Sequence, residues 1–347
     1  MNTEIYKLYN IDYFKEFDKY FKFFKDINES NIDYKSSLPD FEVENFDKRC
    51  KESKEELLTL DKEYNFTKLF NSYKELFSNL TNCRIDLLAY KAFSEIEKNE
   101  SVLSTLKSFK PKNSVTKIVE YDTTSIITGR LVVKSGPKIL TLPSKYRSIL
   151  KSSYQNGNIY SIDFSSLEPR IAGKLSEKNS ENDIYAEISD LLSFNADRSI
   201  IKKAVISSIY GANYRSLEGL SNDRSKEIFD AINDYFDFAK ILELSKNVDE
   251  QGIRRNYFGR PLWNLNEKRE NVLINNYIQS SAVDVALKYF TELSLNNHIL
   301  KPLFILHDAL IVDISDENYD DVFKIINNGY DDDKLGYFPL KLEKFNI

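Results

Sequence analysis

Two aspartates, Asp163 and Asp308, stand where a carboxylate is hardest to keep. Asp163 closes the run Asn158-Ile159-Tyr160-Ser161-Ile162-Asp163-Phe164, and Asp308 interrupts Leu303-Phe304-Ile305-Leu306-His307-Asp308-Ala309-Leu310-Ile311-Val312-Asp313. An acid set in a β-rich, apolar run is costly unless a cation or a donor balances it. Two such carboxylates brought together can share a pair of Mg²⁺ ions about 3.5–4 Å apart and support in-line phosphoryl transfer. A second pattern is Arg198-x-x-x-Lys202-x-x-x-Ile206-x-x-x-Tyr210-Gly211, with Ser193 and Asn195 as N-cap candidates. Four-residue steps keep side chains on one helical face, so two cations, an aliphatic position and an aromatic project together. That face suits a polyphosphate followed by a sugar and a base. Taken singly, either aspartate also fits a turn or cap residue, and the helix also fits an ordinary amphipathic one.

The elements needed to bring these residues together are legible in outline. Residues 158–164 read as a strand, and 303–313 as a hairpin with His307-Asp308 at its tip. Residues 175–250 and 266–297 read mostly as helices, as do residues 1 to 110, where Leu69, Phe70, Tyr73, Leu76 and Phe77 recur at helical spacing. Between them, 112–135 is rich in Thr, Val and Ile and reads as extended structure and loops. The fold class expected is α+β, a small sheet carrying helices.

Composition narrows the function. The chain has 347 residues, 41% hydrophobic and 29% charged, which is ordinary for a globular protein. No apolar run reaches the roughly 18 residues of a membrane span, and the N-terminus lacks a secretory pattern. A cytoplasmic setting without a membrane partner is expected. Cys50 and Cys83 lie in no metal-type cluster, and neither do His298 and His307. Any metal is therefore a hard cation held by carboxylates, which points to magnesium. Net charge is −6, yet residues 101–160 hold ten Lys/Arg against two acids, a stretch that can track a phosphate backbone or form a solvated face.

The separate signals converge on one resemblance. Asp163-Phe164-Ser165-Ser166-Leu167-Glu168-Pro169-Arg170 resembles the first palm motif of family A DNA polymerases (the bacterial DNA polymerase I family), D-[YF]-S-x-[IL]-E-x-R. Arg198, Lys202, Tyr210 and Gly211 match the fingers motif R-x(3)-K-x(7)-Y-G, and His307-Asp308 is similar to the last palm motif, H-D-E. Thr128-Gly129-Arg130-Leu131 matches the T-G-R-L segment, and Gln279, Ala282 and Asp284 match the Q-x-x-A-x-D helix. The five motifs keep the family's order over roughly 128 to 313.

The resemblance implies a right-hand polymerase: a reduced helical thumb over 1–120, palm over 121–175 and 257–347, and fingers over 176–256. It implies Asp163 and Asp308 as the catalytic, metal-binding carboxylates for two Mg²⁺ ions, with Mn²⁺ as an alternative. Arg198 and Lys202 would hold the triphosphate of a dNTP, with Ile206, Tyr210, Glu168 and Tyr185 around its sugar, base and phosphates. Arg130, Gln279, His307 and Arg170 would face primer-template DNA. Glu168 would exclude a ribose 2′-OH, which sets a DNA polymerase apart from the rival reading, a single-subunit RNA polymerase. A catalytically idle relative that only binds DNA is the other alternative. The residues before Thr128 show no run of strand-borne acids, so no proofreading exonuclease is expected. A monomer is expected, with accessory replication proteins unspecified. Compactness and heavy use of Lys, Asn, Ile, Tyr and Phe suit an AT-rich viral or other mobile genome, which would place the enzyme in host cytoplasm.

Three positions depart from the family pattern. Ile206 stands where Phe or Tyr is usual, so ring stacking on the base is lost. Ala309 replaces the Glu of H-D-E, which leaves two carboxylates and predicts altered metal dependence without loss of activity. Tyr185 stands where a phosphate-contacting His is frequent, exchanging a cation for a hydroxyl.

Overall fold

The computed structural model describes residues 3–12, 15–21, 35–178, 182–217, 221–263 and 265–345. Its centre is a four-stranded antiparallel sheet of β1 (Gly157–Phe164), β2 (Leu300–Leu306), β3 (Ala309–Ser315) and β4 (Leu340–Lys344), in the order β4-β1-β3-β2. The apolar arms of the hairpin extend beyond 303–313 at both ends, because Leu300 still pairs with Ile314. At the hairpin turn His307 takes a left-handed φ of 58°, a conformation that His tolerates better than a β-branched residue.

Alternation sets the faces of the sheet. On β1, Ile162 and Phe164 point into the core, while Ser161 and Asp163 are only partly covered. β3 is buried along its whole length, including Asp313, whose carboxylate accepts from Ser152 Oγ at 2.5 Å. Cross-strand register then fixes the neighbours of Asp163: Ala309 on one side and Lys341 on the other.

The helix α5 (Glu270–Asn296) runs beneath the site with Gln279, Ala282 and Asp284 along its buried length. Packed on it is α1 (Phe66–Asn79), whose Phe66, Phe70, Tyr73 and Leu76 form one buried stripe, while Tyr73 Oη donates to Asp284 Oδ1 at 3.0 Å. After β1 come α2 (Leu167–Leu175), α3 (Ile184–Ser189) and α4 (Arg198–Ile209). The 112–135 stretch forms the short pair Glu120–Asp122 and Val132–Ser135 amid loops. One core of buried side chains extends from Ile5 to Phe345, and Phe17, Phe21, Leu38 and Phe46 make a second, smaller one. Neither Cys50 nor Cys83 is in a disulfide. Among the described residues no helix is long and apolar enough to cross a membrane.

Candidate active site

Because Asp163 pairs with Ala309, Asp308 sits one residue along, at the turn beside it. Both aspartates line a cavity of about 480 Å³. Burial pushes the Asp163 carboxyl up to about 7, helped by the charge of Asp308 and opposed by Lys341 and Lys202. Burial also raises Asp308, against the pull of its backbone N–H, His307, Arg130 and Lys202. The pair is therefore an electrostatically unsatisfied set of hard oxygen donors. That chemistry fits Mg²⁺, which is commonly held by one or two carboxylates and completed by substrate phosphates and water. Among the described residues, no group of three or more acidic, His or Cys side chains forms a metal cage, in keeping with Ala309 at the third family position.

Opposite the aspartates, four of the singled-out side chains form one hydrogen-bonded cluster. Arg130 Nη2 donates to Glu168 Oε1 at 2.8 Å and to Tyr210 Oη at 3.0 Å. Gln279 Nε2 donates to Tyr210 Oη at 2.7 Å and to Asn275 Oδ1 at 2.8 Å, and Tyr210 Oη in turn reaches Glu168 Oε2 at 3.3 Å. Burial raises the Glu168 carboxyl although Arg130 opposes it. Two glycines permit this closeness. Gly129, at φ +74°, lies over the Arg260 guanidinium, where an added Cβ would come within 2.5 Å. Gly211, at φ +80°, follows Tyr210, and a Cβ added to it would come within 2.3 Å of the Asn271 Cβ.

The fingers-motif helix α4 begins one residue after Asp197, whose carboxylate accepts from Ser199 N at 2.6 Å. Asp197 is thus the N-cap, in place of Ser193 or Asn195. Lys202 and the half-buried Ile206 line the cavity, and Lys202 makes no hydrogen bond or ion pair with another described residue. Arg198 does not line the cavity: its Nε donates to Asp183 Oδ2 at 2.7 Å, and its guanidinium lies 4.9 Å from the centre of the Tyr185 ring. Tyr185 is 2% exposed and lines the cavity wall. His307 is exposed at the cavity mouth beside Asp308.

One expectation needs correcting. Arg170, expected to face DNA, is 5% exposed, and its guanidinium donates to the carbonyls of Ser165 at 3.0 Å and Asn182 at 2.7 Å. It braces the start of α2 against the segment leading to α3, which leaves it no open surface for a phosphate. Conversely, Asp183, Asn275 and Lys341 stand beside the site without having been singled out. Asp183 had a local signal, as a cap-type residue before Ile184-Tyr185; Lys341 had none, since only strand register brings it to Asp163.

The model of DNA polymerase family A matches residues 46–342. Among solved structures the chain is similar to the POL domain of Pol1 from M. smegmatis in complex with DNA primer-template and dNTP, with a TM-score of 0.55 and 17% identity. That match covers 71% of this chain and 51% of the other, so the chain spans about half the length of that relative. No curated protein matches the chain. The likeness to the solved structure concerns the fold, and the family model covers most of the sequence: the chain belongs to DNA polymerase family A.

Proposed function

We propose that this protein is a template-directed DNA polymerase that extends a primer 3′-hydroxyl with dNTPs. The observation that carries the proposal is the convergence of Asp163 and Asp308 on one cavity with Lys202 and the Arg130–Glu168–Tyr210–Gln279 cluster. Asp163 and Asp308 would hold two Mg²⁺ ions, or Mn²⁺, which when bound lower the barrier to attack on the α-phosphate and offset the charge of the leaving pyrophosphate.

The remaining work falls to the chain's own side chains. Lys202, open to the cavity, balances the triphosphate. Glu168, held by Arg130 and Tyr210, sets a fixed carboxylate where the sugar of an incoming nucleotide would lie, and a 2′-hydroxyl would have to displace one of those hydrogen bonds. Tyr210, fixed through its hydroxyl, offers its ring as the floor of the base-pair site. Arg130, Gln279 and the exposed His307 present donors to the primer-template. We assign the palm to 121–175 and 257–347, the fingers to 176–256 and a thumb-like region to 1–120, and we propose synthesis without proofreading.

Primer extension tests the reading. Asp163→Ala and Asp308→Ala are each expected to abolish extension while leaving the fold and duplex binding intact, and a mismatched primer incubated without dNTP is expected to stay whole. Full extension by both variants would refute the assignment. Glu168→Ala is expected to raise rNTP incorporation relative to dNTP by roughly tenfold or more; an unchanged ratio would remove Glu168 from sugar selection and reopen the RNA polymerase reading.

A further inference from the structure

The two cations of the fingers-motif helix are in different states. Both belong to α4 and stand one turn apart. Lys202 is open to the cavity, whereas Arg198 is engaged by a carboxylate from another helix. That carboxylate, Asp183, divides its two oxygens between two tasks. Oδ1 caps α3 by accepting from Tyr185 N at 3.1 Å, and Oδ2 accepts from Arg198 Nε at 2.7 Å. The bonds from Arg198 and Tyr185 N outweigh burial and hold the Asp183 carboxyl below the usual carboxylate range. Tyr185 completes the arrangement. It lines the cavity, and the half-exposed Arg198 guanidinium lies 4.9 Å from its ring centre, which keeps Arg198 close to the cavity without lining it.

We propose that Asp183 is a positioning residue that stands in for phosphate, parking Arg198 until an incoming triphosphate takes its place as the anionic partner. The proposal rests on the reading of Arg198 as a triphosphate ligand. Its physical basis is exchange between anions. The Arg198–Asp183 pair is half-exposed, with side-chain accessibilities of 57% and 39%, so it is weak enough to open thermally. A polyphosphate carries more charge and more acceptor oxygens than one carboxylate, so it wins the exchange. A ligand of low charge does not. Asp183 thereby lowers affinity by the same factor for every anion that must take Arg198 from it.

Asp183→Asn separates this role from capping, because Asn caps a helix as well as Asp does while the charge is lost. The test is calorimetric titration of inorganic tripolyphosphate, and of dNTP in the presence of primer-template, into four forms of the full chain: wild type, D183N, R198A and D183N/R198A. D183N is expected to tighten tripolyphosphate binding about two- to fivefold and to lower KM for dNTP by the same factor. R198A should weaken both, and in the double variant the gain from D183N should vanish. If R198A weakens binding but D183N fails to tighten it, the parking role is overturned while the triphosphate role of Arg198 stands. If R198A leaves affinity unchanged, Arg198 is no phosphate ligand and both ideas fall. Thermal unfolding of D183N, expected to match wild type, shows whether the cap is intact, and a gain in affinity is an effect that a purely structural role would not produce.

Discussion

The Asp163 carboxyl, raised to about 7, holds its proton more tightly in the fold than in the unfolded chain, where it titrates near 4. The folded state therefore binds more protons, and the favourable contribution, complete at low pH, is lost as pH rises through about 7. In metal-free buffer, Asp163→Asn should raise Tm most at pH 8, by about 1–2 °C for each kcal/mol recovered, and the advantage should shrink toward pH 4; a pH-independent difference would contradict it. The residue that makes the site is thus one that strains the fold, the usual conflict between stability and activity. This conflict is also why Asp163 and Asp308 were legible in the sequence: an acid set in a β-rich run is conspicuous. Arg170 was misread for the opposite reason. A motif position gives a residue type but not its exposure, and only the nearby carbonyls of Ser165 and Asn182 turn its guanidinium inward.

At the scale of elements, the end of α4 shows how a helix terminus is tied to function. Tyr210 is its C-cap residue, and the left-handed Gly211 ends it against Asn271 of α5. Gly211→Ala combines an unfavourable φ with a Cβ that has no room. It is expected to cost about 1–3 kcal/mol, seen as a lower Tm, and to displace the Tyr210 hydroxyl from Gln279 and Glu168. Extension should then fall further than primer-template affinity. The strand and the hairpin were readable from their apolar runs, and the long helix from its motif and periodicity. The start of α4 was not: Ser193, Asn195 and Asp197 are all good caps, and the choice rests on which carboxylate or hydroxyl meets the N–H of Ser199. The short pairs, such as Arg254–Arg255 with Pro261–Leu262, are too brief to show any period.

For the whole molecule, the region before residue 120 shares the core of the rest: α1 packs on α5, and Thr81 N donates to Pro302 O at 2.8 Å. At the centre lies the fully buried pair Arg260–Asp284, with Nη2 to Oδ1 at 2.6 Å, joined by Asn256 Nδ2 at 2.7 Å and by Tyr73. It links α1, the loop of Gly129 and Arg130, and the helix that carries Gln279. Breaking one side leaves a charge buried alone, so Arg260→Met or Asp284→Leu should each cost about 3–5 kcal/mol, and the double variant less than the sum. Chemical denaturation of the three variants reads this coupling; additive losses would deny it. Asp284 was visible in its motif, but Arg260 gave no hint of being its partner, because the pairing exists only once the two segments fold together. A last consequence follows from β4. The strand at Leu340–Lys344 is hydrogen-bonded to the one bearing Asp163, so a nascent copy still on the ribosome, or any fragment cut off before that point, lacks one wall of the sheet. The proposed activity should then appear only once Leu340–Lys344 is in place, and never by degrees as the sheet is assembled.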